Sequence, residues 1–213
     1  VEDIGIVKFD LLGVATLNLV KEIKDDLHLD PWDYDINNPE FENDRATYEL
    51  LASGKTNGIF QVESAGMKDL LIRLKPKLEQ LDFEVISVIL ALYRPDSMGA
   101  LDEYVEMAIG GSRPPSIHPD MDEILKDTNY CMIYQEQLLD IVKKFGGRTY
   151  GGADLIRKAI GKKLPELVKK QSEILRNEIV ANGYSKDIAD KIADELSQKG
   201  GLTKGAPITG DSY

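Results

Sequence analysis

At 213 residues, 42% hydrophobic and 30% charged, the chain has the make-up of a globular protein with room for one large domain or two small ones. A single cysteine, Cys131, excludes a disulfide framework, and two distant histidines, His28 and His118, exclude a cysteine–histidine zinc site. No apolar run approaches a membrane span or a secretory leader, so a reducing, cytoplasmic setting with no membrane partner is expected, on an acidic background of net charge -11.

Val1 leads straight into an apolar segment, as expected of a piece of a longer chain. Residues 4–12, Ile-Gly-Ile-Val-Lys-Phe-Asp-Leu-Leu, are rich in β-branched and large apolar types and predict a strand. Alternation puts Ile6, Lys8 and Asp10 on one face, with Val7, Phe9 and Leu11 on the other. A lysine and a carboxylate on such a strand end are costly unless bound, and a divalent metal with a phosphate would satisfy both. Alternatively Asp10 caps the helix that follows. Val14, Leu17, Val20, Ile23 and Leu27 recur in steps of three and four and predict that helix over 13–27. Residues 28–43 hold Asp30, Asp33, Asp35, Glu40 and Glu42 with prolines at 31 and 39, a surface connection without the glycine-centred spacing of a calcium loop.

Asp44 is placed to cap a helix through Leu51 that Gly54 ends. Gly58-Ile-Phe-Gln-Val-Glu-Ser64 reads as a short strand, and Ser64 opens a helix over 65–74 whose N-terminus is a ready anion site. A long apolar helix over 81–93 breaks at Arg94-Pro95, where Arg94 is either a dipole-favoured cap or a phosphate ligand. Gly110-Gly-Ser-Arg-Pro-Pro-Ser116 reads as a flexible joint. Residues 130–145 read as a brief strand into a helix, followed by a glycine hinge at Gly146-Gly147.

Gly151-Gly152 then opens an amphipathic helix that ends in Lys162-Lys163. From 143 to 170 the chain carries nine cations (Lys143, Lys144, Arg148, Arg157, Lys158, Lys162, Lys163, Lys169, Lys170) against Asp154 and Glu166 alone. Such density is either a solvated helix face or a site for a polyphosphate or nucleic-acid backbone. Arg157 and Lys158 lie one turn before Lys162, which gathers the cations along one edge of the helix. Two further helices follow, over 164–182 with Pro165 in the first turn, and over 186–196.

Five segments in this order resemble the motifs of the C-family DNA polymerases, the alpha subunits of bacterial DNA polymerase III and their phage relatives. They are Val7-Lys-Phe-Asp-Leu-Leu-Gly13, Gly58-Ile-Phe-Gln-Val-Glu-Ser64 with Gly66-Met67, Ala91-Leu-Tyr-Arg-Pro95, Ile133-Tyr-Gln-Glu-Gln137, and Gly152-Ala-Asp-Leu-Ile-Arg-Lys-Ala-Ile-Gly-Lys-Lys163. The resemblance implies template-directed addition of dNMP from dNTP to a primer 3′ end by two magnesium ions held on three palm aspartates. Asp10 matches the third aspartate, with Lys8 beside it neutralising phosphate. The other two belong to an Asp-x-Asp motif expected upstream of Val1, so this stretch alone should be inactive. Arg157, Lys158, Lys162 and Lys163 match the basic motif that faces the triphosphate. Gln61, Ser64, Arg94, Tyr134, Gln135 and Gln137 match positions that line the nucleotide pocket or hold it together. Implied partners are primer–template DNA, dNTP, the rest of the polymerase, a sliding clamp and other replisome subunits.

Arg94-Pro95-Asp96-Ser97 departs from the family's Arg-Pro-Gly-Pro, and Lys158 stands where a second arginine is usual, keeping charge but losing the planar fork. Residues 202–213 leave the pattern where inteins interrupt this family, although no Cys or Ser nucleophile opens either intein-like stretch, from Leu202 or from Ile208. The expected fold is α+β and predominantly helical: 1–50 as palm edge with short strands, 51–201 as helical fingers, and 202–213 as a foreign tail. The alternative is a noncatalytic DNA-binding or protein-docking module on the same scaffold.

Overall fold

The computed structural model describes residues 13–30, 43–94, 98–111, 113, 115–161 and 165–197. These are helical, with α1 at Thr16–Asp26, α2 at Arg45–Ala52, α3 at Ala65–Arg73, α4 at Lys75–Leu78, α5 at Phe83–Leu92 and α6 at Met98–Ala108. Then come α7 at Pro119–Leu125, a 3-10 turn at Lys126–Thr128, α8 at Gln135–Gly146, α9 at Tyr150–Gly161, α10 at Pro165–Ala181 and α11 at Lys186–Ser197.

Two hydrophobic cores organise these helices. The first gathers Tyr48, Leu71, Leu74, Leu78, Val88, Ile89, Leu101 and Tyr104 from α2 to α6, and takes in Cys131 and Ile133 from beyond α7. The second gathers Met121, Leu138, Val142, Phe145, Ile156, Leu175, Ile179 and Ile192 from α7 to α11. Local chemistry sets the helix starts. The Asp44 carboxylate accepts from the Ala46 amide, Ser64 from Met67 and Asp82 from Val85, each filling one of the donors left open at a helix N-terminus. His118 Nδ1 accepts from the Asp120 amide ahead of Pro119 at the start of α7.

No strand occurs among the described residues, so the α+β expectation is corrected there to an all-helical one; the strand expected over 4–12 lies outside them. Residues 58–64 form turns. Gln61 takes a left-handed φ of 63°, and Thr56 Oγ1 donates to the Val62 carbonyl at 2.5 Å, spending locally what a ladder would need. The stretch before α8 is likewise turned, with Asn129 and Tyr130 at φ 51° and 63°.

The expected hinge at Gly146-Gly147 is a packed turn. A Cβ on Gly146 would lie 2.7 Å from Leu175, and Gly147 at φ 67° closes α8 while Asn182 Nδ2 donates to the Phe145 carbonyl at 2.9 Å. Within the expected joint at 110–116, Arg113 pairs with Asp122 at 2.7 Å and covers the Tyr130 ring at 3.5 Å, and Ser116 reaches the same carboxylate. Helix α1 has the predicted apolar stripe but buries none of it among the described residues: Leu17 and Leu27 are more than 60% exposed.

Candidate functional site

The residues singled out in the sequence fall into two groups at opposite ends of α5, about 15 Å apart for a helix of this length. At the C-terminal end, Tyr93 closes the helix and Arg94 follows, exposed. The Tyr93 hydroxyl lies against Gly66, so closely that any side chain there would overlap it, which packs the end of α5 against the first turn of α3 with its Ser64 cap. Gln61 sits exposed on the turn just before. Ser64 caps the α3 N-terminus, where partial positive charge and open amides favour an anion.

At the other end of α5, Glu84 in its first turn accepts from the Tyr134 hydroxyl at 2.7 Å. Burial and then this carboxylate push the Tyr134 phenol well above its ordinary pKa. The next residue, Gln135, opens α8, and its Oε1 accepts from Arg157 Nη1 at 3.1 Å. Arg157 Nε donates to Asp154 Oδ1 at 2.6 Å, and Lys158 Nζ lies 3.0 Å from Asp154 Oδ2. One carboxylate therefore holds two cations on α9 at i+3 and i+4, the spacing at which a helix brings side chains together. Burial alone would raise the Asp154 pKa, but the hydrogen bonds from Lys158 and Arg157 outweigh it and hold the carboxyl below its ordinary value. Arg157 remains 36% and Lys158 56% exposed, open to solvent on their outer edges.

Gln137 is buried, and each end of its amide is engaged. Its Oε1 accepts from the Ile133 and Tyr134 amides at 2.8 and 2.9 Å, and its Nε2 donates to Thr128 Oγ1 at 2.7 Å. The Thr128 hydroxyl lies 2.6 Å from the Cys131 carbonyl, so Gln137 knots the turn that joins the two cores. Asp10, Lys8, Lys162 and Lys163 lie outside the described residues.

Three of the remaining described cations of the basic segment meet partners within the fold, while Lys169 and Lys170 are exposed. Arg148, 10% exposed, donates to Glu178 at 2.6 Å, to Gln171 at 3.1 Å and to the Gly152 carbonyl. Lys144 lies 3.3 Å from Asp120, and Lys143 sits over the Tyr150 ring at 4.1 Å. The linear excess of charge thus overstates what is open to a ligand; Glu178 and Asp120 are residues that sequence reasoning left out, and Asp154 was counted there without its pairing role. For Asp154 the signal was present in its i+3 and i+4 spacing; for the others it was not. A cleft of about 380 Å3 between α6, α7 and α11 lies apart from both groups, and its Arg113, Ser116 and Asp122 satisfy one another.

These observations define a helical module with two cores, in which a guanidinium and an ammonium stand ready on one helix edge. Residues 16–183 match the model of the bacterial DNA polymerase III alpha subunit finger domain, and the chain belongs to that family. Among its relatives, the chain is 37% identical over 193 residues to the DNA polymerase III subunit alpha of Halalkalibacterium halodurans, covering 90% of this chain and 17% of that protein. It is 35% identical to that of Caulobacter vibrioides, over 90% of this chain and 16% of the relative, and 36% identical to that of Staphylococcus aureus, over 91% and 18%. The chain therefore spans about a sixth of the length of these relatives.

Proposed function

We propose that the chain supplies the fingers and the adjoining palm edge of a replicative, DNA-directed DNA polymerase. There it receives dNTP for template-directed addition of dNMP to a primer 3′ end. The observation that carries this reading is the side-by-side placement of Arg157 and Lys158, partly exposed on α9, within a chain of the finger-domain family.

The guanidinium and the ammonium bind the oxygens of the triphosphate, in the ground state and the transition state alike. In the same reading Lys162 and Lys163 extend the cationic edge, while Ser64, Arg94 and Gln61 form a second phosphate-facing corner. Tyr134 and Gln135 support the first group, and Gln137 holds the turn beneath it.

Among the described residues no cluster of three or more His, Cys, Asp or Glu could hold a metal ion. Asp10, with Lys8 beside it, is this chain's candidate contribution to a site for two magnesium ions, which would activate the primer hydroxyl and stabilise the leaving group. The rest of the polymerase would supply the other ligands, and this chain alone would not extend a primer. Primer–template DNA, a sliding clamp and other replisome subunits are the partners this reading names, in the cytoplasm. No helix among the described residues is long and apolar enough to cross a membrane.

The test is single-nucleotide primer extension by the whole polymerase carrying Arg157→Ala with Lys158→Ala. A rise of about tenfold or more in the KM for dNTP, with DNA affinity retained, is expected. An unchanged KM would sink the reading, and a loss of DNA affinity alone would favour the noncatalytic DNA-binding module.

A further inference from the structure

Building on the assignment of Arg157 to the triphosphate, we infer that Asp154 and Gln135 are positioning residues that fix the Arg157 guanidinium before nucleotide arrives. Asp154 takes the Nε proton at 2.6 Å and Gln135 takes one Nη1 proton at 3.1 Å. A guanidinium carries five N–H groups in one plane, so two fixed bonds define that plane and leave Nη2 and the second Nη1 proton for an anion. The two acceptors come from different helices, Asp154 from α9 and Gln135 from the first residue of α8, so the plane is set by the packing of α8 on α9.

Charge points the same way. Asp154 neutralises only one of the two cations it touches, so the trio keeps a net positive charge toward a polyphosphate while the side chains lose less freedom on binding. Asp154 thus acts on nucleotide only through Arg157 and Lys158.

Asp154→Asn keeps size and an acceptor but removes the charge that draws in both cations. In the whole polymerase we expect it to raise the KM for dNTP about tenfold, with kcat within about twofold, because the guanidinium contact is made in ground and transition states alike. DNA affinity should stay at the parent value, and the melting temperature should fall only slightly, since the carboxylate is partly solvent-facing. Gln135→Leu should raise the same KM less, and Asp154→Glu should restore part of it. In a background already carrying Arg157→Ala and Lys158→Ala, Asp154→Asn should change nothing further.

An unchanged or lowered KM in Asp154→Asn would overturn the inference, the lowered value meaning that the carboxylate competes with the triphosphate. A further rise in the background lacking both cations would overturn it too. If the paired alanine variant itself leaves KM unaltered, the assignment of Arg157 and Lys158 to nucleotide fails first.

Discussion

The two cores are held in different ways. The first relies on apolar burial and helix caps, and its ion pairs Arg73–Asp102 at 3.8 Å and Lys75–Glu79 at 3.6 Å are both more than half exposed. The second adds charge that crosses between helices: Arg148 on Glu178 at 2.6 Å, Arg176 on Asp190 and Asp194 at 3.3 and 2.5 Å, and Lys144 on Asp120. The lesson is that basic residues of the second core serve its own assembly first, and only those with an outward edge remain for a ligand.

The largest effect should come from Arg148→Ala. It strands a partly buried Glu178 and leaves the Gln171 and Gly152 oxygens without their donor, and should cost about 3 kcal/mol by urea denaturation. A cost as small as that of a surface pair would break the contrast. Next is Gln137→Ala, which leaves the Ile133 and Tyr134 amides and the Thr128 hydroxyl short of a partner and should cost about 2 kcal/mol. Because this knot joins the cores, a loss of coincidence between tyrosine fluorescence and helical dichroism during unfolding would show that the two cores had come apart.

Ser64→Ala removes the cap of α3 and should cost about 1 kcal/mol, confined to the first core and visible as faster amide exchange at Met67. Arg73→Ala, the counterpart of Arg148→Ala, should cost no more than about 0.5 kcal/mol, since its pair is long and exposed.

Smallest is the effect of mild acid. Asp44 is held below its ordinary pKa first by Thr47, and Asp154 is held below it because its cationic bonds outweigh burial. A depressed carboxyl lends stability that is complete above the ordinary value of 3.8 and disappears as pH falls through the folded value. Both contributions should therefore be flat from neutrality down to about pH 5 and fade below it. Asp44→Asn should flatten only the part belonging to the first core.

Much of this architecture was legible in the chain. Asp44 ahead of Arg45–Ala52, Ser64 ahead of Ala65–Arg73 and Pro165 at the head of α10 mark their helices by residue type. Helix α6 was not among the predicted elements, although Leu101, Tyr104, Val105 and Ala108 repeat at helical spacing. The strand expected at 58–64 failed because β-branched composition says nothing of a backbone turned by Gln61 and tied by Thr56 to Val62. The cationic segment was legible in its charges and not in their balance, since Glu178 and Asp120 reach it only through helix packing.

Tyr134 and Gln135 are neighbours in the chain, yet one reaches back to Glu84 on α5 and the other forward to Arg157 on α9. A single peptide unit thus ties the first turn of α5 to the guanidinium on α9, with one hydrogen bond on each side of it.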